Sequence, residues 1–165
     1  MKKIINIKVN GIPYEVLVNP DMTLVDLLRD ELGITGVKKG CDEGDCGACT
    51  VLIDNKAVAS CTYLAVMADN KEITTIEGIK NGDDLHPLQQ AFIDAFAVQC
   101  GFCTPGMILT TIALLNENPN PTEDEIIDYL RGNLCRCTGY VKILDAIKLA
   151  IERMAADNEK QEQVE

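Results

Sequence analysis

Tryptophan is absent from this 165-residue sequence and aromatic residues make up only 4% of it, so any core must be aliphatic. Hydrophobic residues, at 47%, suffice for one large or two small domains. Cations are scarce. With 15 Lys and Arg against 26 Asp and Glu, the net charge is −11. No basic stripe exists to neutralise phosphates, which excludes nucleic acid as a partner and disfavours anionic membrane surfaces. No apolar run approaches transmembrane length, so membrane insertion is not expected. The opening MKKIINIKVNG starts basic, but Asn6 and Lys8 interrupt any apolar signal-peptide core, and a cytoplasmic protein is expected.

Cysteine, by contrast, is abundant. Eight cysteines at short offsets, in a chain without an export signal, point to metal binding rather than disulfides. They divide into two sets of four, Cys41/Cys46/Cys49/Cys61 and Cys100/Cys103/Cys135/Cys137. Ligated thiolates would make both regions more anionic than the formal charge.

The stretch Gly40-Cys41-Asp42-Glu43-Gly44-Asp45-Cys46-Gly47-Ala48-Cys49 organises the chain, with Cys61 following after eleven intervening residues. Its C-x4-C-x2-C order is the spacing of the first three ligands in a plant-type [2Fe–2S] loop. Such a loop wraps a compact anion with backbone N–H groups, and Gly40, Gly44 and Gly47 supply the conformational freedom this needs. A structural zinc site is the alternative, although zinc knuckles are usually two short C-x2-4-C pairs.

Around this loop the pattern is α+β. Ile5, Ile7 and Val9 alternate along residues 3–9, Asn10-Gly11 predicts a type I′ hairpin turn, and Tyr14–Val18 returns. Thr23 caps a helix carrying Leu24, Leu27, Leu28 and Leu32 and closed by Gly33. Residues 50–53 and 56–59 form a second hairpin about Asp54-Asn55, and 72–75 a last strand. Residues 77–87 (EGIKNGDDLHP) read as a linker between domains at 1–76 and 88–155.

No strand pattern follows the linker. Pro87 opens a helix with the stripe Leu88, Ala91, Phe92, Ala95 and Phe96. Thr104-Pro105 reads as an N-cap and N1 pair that opens a second helix, through Leu115. Its Met107–Leu115 stripe reads as core packing. Thr122 and Glu125 form a capping box for a third helix, bearing Ile126, Ile127 and Leu130. A fourth runs from Val141 to Met154 on Ile143, Leu144, Ile147 and Ile151, and 156–165 is a frayed polar tail. Four helices with short connections predict a helical bundle.

The second cysteine set lies in Gln99-Cys100-Gly101-Phe102-Cys103-Thr104-Pro105-Gly106 and Asn133-Leu134-Cys135-Arg136-Cys137-Thr138-Gly139-Tyr140, each just before a predicted helix. Helix N-termini favour an anionic cluster. Taken alone, C-x2-C with C-x-C also fits zinc or core cysteines.

These segments, with Leu27-Leu28-Arg29-Asp30, Thr35-Gly36-Val37-Lys38-Lys39-Gly40-Cys41 and Cys46-Gly47-Ala48-Cys49-Thr50, resemble the two-cluster [2Fe–2S] subunit of the molybdenum hydroxylases. That is the family of xanthine dehydrogenase, aldehyde oxidoreductase and aerobic carbon monoxide dehydrogenase. The resemblance covers all but the tail, and no ligand position departs from it. It implies a β-grasp N-terminal domain, and an early fourth ligand at Cys61 that separates the chain from free ferredoxins. It also implies [2Fe–2S] clusters on both cysteine sets, and a hetero-oligomer with a large molybdopterin subunit and an FAD subunit. Gln99 and Cys137 would contact the pterin. Electrons would run from molybdenum through the helical-domain cluster to the N-terminal cluster and on to FAD. No residue of this chain is assigned acid, base or nucleophile chemistry. A zinc adaptor and a standalone two-cluster ferredoxin or redox sensor are the rival readings.

Among the remaining polar residues, His86 is the single histidine, so a Rieske site with its two histidines is excluded; a helix cap or surface role is expected. Asp42, Glu43 and Asp45 read as a solvated acidic rim that lowers the nearby potential. Lys38, Lys39, Arg131 and Arg136 are surface charge or docking contacts.

Overall fold

The computed structural model describes residues 1–80 and 82–162. Strand β1 (Lys3–Val9) buries Ile5, Ile7 and Val9, the three positions its alternation marks, and pairs antiparallel with β2 (Ile12–Val18). Between them Asn10 (φ 51°) and Gly11 (φ 82°) are both left-handed, as a type I′ turn requires. The same device recurs at Asp54 (φ 49°) and Asn55 (φ 67°), joining β3 (Thr50–Ile53) to β4 (Lys56–Ala59). Strand β5 (Glu72–Thr74) enters between the hairpins, parallel to β1 and antiparallel to β3, giving the order β2-β1-β5-β3-β4.

Helix α1 starts where Thr23 predicts, with Thr23 Oγ1 accepting the Asp26 N–H at 3.3 Å. It is regular only over Leu24–Asp26 and widens into a π turn at Leu27–Glu31 before Gly33 (φ 70°) ends it. The π turn was not legible in the Leu spacing. It still buries Leu24, Val25, Leu27 and Leu28 under the sheet, while the Arg29 guanidinium donates to the carbonyls of Thr35 and Val37 and shapes the approach to Cys41.

Beyond the first unit come α2 (Pro87–Asp94), α3 (Thr104–Glu117), α4 (Glu123–Tyr129) and α5 (Val141–Glu162). Thr122 and Glu125 form the expected capping box. His86 caps α2, its Nδ1 accepting the Leu88 N–H at 3.2 Å while Gln89 reciprocates, and burial depresses its pKa. The helices pack on Leu88, Phe92, Met107, Ile126, Ile143 and Ile147, with Ala91, Ala146 and Ala150 at the close approaches. Three expectations need correction. Phe96 does not join the α2 stripe: the helix stops before it, Phe96 adopts φ 58°, and its ring is 81% exposed. Cys103, not Thr104, occupies the cap position of α3. Helix α5 continues to Glu162 rather than stopping at Met154, because the polar run after it holds good helix formers such as Ala155, Ala156 and Glu159. Of the expected tail, 163–165 lie outside the described residues, as does Asn81 of the linker.

The two units share a third small core, in which Leu52 of β3 meets Leu109 and Ala113 of α3. Each buried leucine stabilises this junction by about 2 kcal/mol.

Candidate iron–sulfur centres

The eight cysteines gather as two sets of two pairs. In the first set Cys41 lies against Cys46 and Cys49 against Cys61, with Cys41 also close enough to Cys61 to raise it. In the second, Cys103 lies against Cys135, and the sulfurs of Cys100 and Cys137 are 3.5 Å apart. One tetrahedral ion would draw four thiols into a single shell. Among the described residues, no three His, Cys, Asp or Glu side chains are placed to hold one ion. Two pairs per set suit two irons per set, each taking two thiolates. Each set also has an inner and an outer pair: Cys49 and Cys61 are buried, Cys41 and Cys46 half-buried, Cys103 and Cys135 half-buried, and Cys100 and Cys137 exposed.

The first set is shaped by backbone. Asp42 (φ 64°), Gly44 (φ 88°) and Gly47 (φ 67°) are all left-handed and curl the loop around its sulfurs. The N–H groups of Glu43 and Cys46 each reach Cys41 Sγ at 3.4 Å and pull that thiol down to about 6. Burial, with the Cys49 sulfur beside it, pushes Cys61 up to about 12, partly opposed by the Gly44 N–H. A Cβ on Gly40 would lie 2.9 Å from Cys46 Sγ, so that glycine leaves the space the sulfur occupies. Asp42, Glu43 and Asp45 are exposed, as expected of a solvated rim, and Lys39 bridges Asp26 and Asp42 at 2.9 and 3.1 Å.

The second set is shaped by helix starts. Burial first, then the Cys135 sulfur, pushes Cys103 up to about 12. At Cys135 burial opposes ionisation, but the Thr138 hydroxyl (3.1 Å) and N–H (3.4 Å) outweigh it and lower its pKa. The neighbouring Cys100 sulfur raises Cys137. A metal bound at either set would displace the thiol protons. Gln99 is exposed beside Cys100, and the surface around it is apolar: Phe96, Val98 and Phe102 are all exposed.

The two sets touch. Cys46 C=O accepts the Leu134 N–H at 2.9 Å, one residue from Cys135. Buried Asn133 donates its Nδ2 to Gly47 O at 3.2 Å. A Cβ on Gly47 would lie 2.3 Å from Gly132 O, and one on Gly106 2.1 Å from Gly47 O, so Gly47 is required by inter-domain packing as well as by its turn. The Phe102 ring edge meets Gly40. Asn133, Thr138 and Gly106 were not singled out from the sequence; their nearness to the cysteine motifs was the available signal.

Residues 7–75 match the 2Fe-2S iron-sulfur cluster binding domain and 75–148 the [2Fe-2S] binding domain. The chain is 51% identical over 156 residues to the nicotinate dehydrogenase small FeS subunit of Eubacterium barkeri, covering 94% of this chain and 99% of that one. Quinoline 2-oxidoreductase from Pseudomonas putida 86 superposes with a TM-score of 0.88 at 46% identity, over 92% of this chain and 94% of that chain. Aldehyde oxidoreductase from Desulfovibrio desulfuricans superposes at 0.89 with 44% identity, over 93% of this chain but 17% of the longer one. With both cluster-binding domains in order and near-complete overlap with a small FeS subunit, the chain belongs to the two-cluster [2Fe–2S] subunit family of the molybdenum hydroxylases.

Proposed function

We propose that this chain is the electron-transfer subunit of a molybdopterin-dependent hydroxylase or dehydrogenase. Cys41, Cys46, Cys49 and Cys61 hold one [2Fe–2S] cluster, and Cys100, Cys103, Cys135 and Cys137 hold the other. The observation that carries this reading is the two-plus-two pairing of thiols in both sets, joined through the Leu134 N–H and the Cys46 carbonyl. When bound, each cluster takes up and releases one electron at a time. The protein orients the thiolates, surrounds them with N–H and O–H donors, and holds the two sites at a fixed distance through the 46–134 contact.

The subunit works in a hetero-oligomer with a large subunit. The helical-domain site faces its molybdopterin, with Gln99 and Cys137 toward the pterin. Exposure of Gln99, Cys100 and Cys137 within an apolar surround supports this, since permanent interfaces are apolar. An FAD subunit receives electrons from the N-terminal site, whose outer pair Cys41/Cys46 lies toward solvent. Gly40, Gly44 and Gly47 supply the backbone of that loop. The domain division at 77–87 is supported by two main cores, whose fully buried residues end at Ile73 in the first and begin at Leu88 in the second, with Ile76 and Ile79 packing against the second. Eight free thiols suit a reducing, cytoplasmic setting. Among the described residues, no helix is long and apolar enough to cross a membrane. The relatives are named for nicotinate, quinoline and aldehyde. Substrate choice across that range is assigned to the large subunit.

Anaerobic purification of the tagged chain from its native host tests this. Co-elution of a larger, molybdenum-bearing subunit with about four iron per small chain is expected. A chain that elutes alone, with zinc in place of iron, overturns it.

A further inference from the structure

Tyr140 grips both ends of the backbone segment that joins the two cysteine sites. Its hydroxyl oxygen accepts the Cys135 N–H at 2.9 Å, and its O–H lies 3.5 Å from the Asn133 carbonyl it donates to. Between those residues, Leu134 makes the amide contact to Cys46, and the Asn133 side chain holds Gly47. The ring reaches this segment because the chain doubles back: Gly139 (φ 66°) and Tyr140 (φ 70°) are consecutive left-handed residues. That conformation is costly for an aromatic L-residue and persists only where surrounding contacts impose it.

Here they do. The Tyr140 carbonyl accepts the N–H groups of Ile143 (2.9 Å) and Leu144 (3.0 Å), the first turn of α5, and its own N–H donates to Thr138 Oγ1 at 3.3 Å. Helix α5 is in turn fixed in the core by Ile143, Ala146 and Ile147. A purely packing role would need only the ring, which lies against that core. The hydroxyl's two partners at residues 133 and 135 are additional.

We propose that Tyr140 is a positioning residue for electron exchange between the two sites. Its hydroxyl occupies the Cys135 N–H, keeping that donor off the neighbouring sulfurs, and fixes the Leu134 amide against the Cys46 carbonyl. The inference rests on the assignment of the eight cysteines as cluster ligands. Tyr140→Phe keeps the ring and frees the Cys135 N–H, which is then available to the cysteine sulfurs beside it. An added N–H toward a cluster sulfur raises its potential.

The test is cryogenic EPR of the purified holoenzyme at half reduction. In Tyr140→Phe the ratio of helical-domain to N-terminal signal should rise about two- to threefold, equivalent to roughly 30–60 mV between two one-electron couples that share the available electrons. Tyr140→Asn removes the same hydroxyl while easing the left-handed backbone, and should shift the ratio the same way. Two intact signals with an unchanged ratio in both variants overturn the inference and leave the cluster assignment standing. Loss of the helical-domain signal in both variants also overturns it, by reducing Tyr140 to a structural role. Failure of the unaltered holoenzyme to show two [2Fe–2S] signals overturns the assignment itself.

Discussion

The two cysteine sites reach the same two-plus-two arrangement by different means. The N-terminal site is a loop of left-handed residues closed over a buried inner pair, with carboxylates at its rim. The helical-domain site is assembled from two distant segments that precede α3 and α5, with an exposed outer pair in a surface lacking charge from Ala95 to Gly106. A local loop is written in contiguous spacing, whereas a site assembled from two helix starts depends on the bundle around it. The difference also separates the surfaces. One outer pair looks out past water-solvated carboxylates and the other past apolar side chains and Arg136, so the two faces suit different partners.

The largest effects come from removing one site at a time. Cys49→Ser should abolish the N-terminal EPR signal and about half of the iron while sparing the other cluster, and Cys103→Ser should do the reverse. Loss of both signals from either variant would break the comparison by making the sites one cooperative unit. A smaller effect separates the glycines. Gly47→Ala, strained at φ 67° with its Cβ 2.3 Å from Gly132 O, should destabilise the protein by about 3 kcal/mol or more. Gly101→Ala, at φ 80° but with nothing nearer than 3.9 Å, should cost only about 1 kcal/mol. Thermal denaturation of the two variants distinguishes interface from surface.

Subtler still, Thr138→Val deletes the O–H donor to Cys135 Sγ and should lower the helical-domain potential alone by about 20–65 mV, one hydrogen bond's net worth. The smallest effect concerns pH. His86 caps α2 through a neutral Nδ1, and burial depresses its pKa below the ordinary value of about 6.5. The unfolded chain therefore binds this proton more readily, so its contribution is complete above about pH 6.5 and declines as pH falls toward the folded-state pKa. His86→Asn should flatten the melting temperature in that window relative to the unaltered protein.

Much of the fold was legible because its signals are local. Asn10-Gly11, Asp54-Asn55, Thr23 and the Thr122/Glu125 box each state their structure within four residues. The departures are places where tertiary packing decides. Leucines at 24, 27 and 28 suit an α-helix, but covering the sheet and reaching the cysteine loop widens the helix into a π turn at Leu27–Glu31. Phe96 fits the α2 periodicity, yet the chain must turn there to bring Cys100 beside Cys137, and the ring is left outside. The cysteine sets were visible as spacing; which sulfur pairs with which was not, since pairing depends on how the separate segments meet in the folded chain. Tyr140 and Asn133 stood inside a quoted motif, but their contacts span five to eighty-six positions and belong to the folded chain.

The most direct test is low-temperature EPR of the dithionite-reduced protein, purified without oxygen. Two distinct [2Fe–2S] signals that split or broaden one another are predicted, because the loops carrying them share the Cys46–Leu134 hydrogen bond. Zinc without signal, or two signals with no magnetic interaction, would contradict a pair of clusters in series.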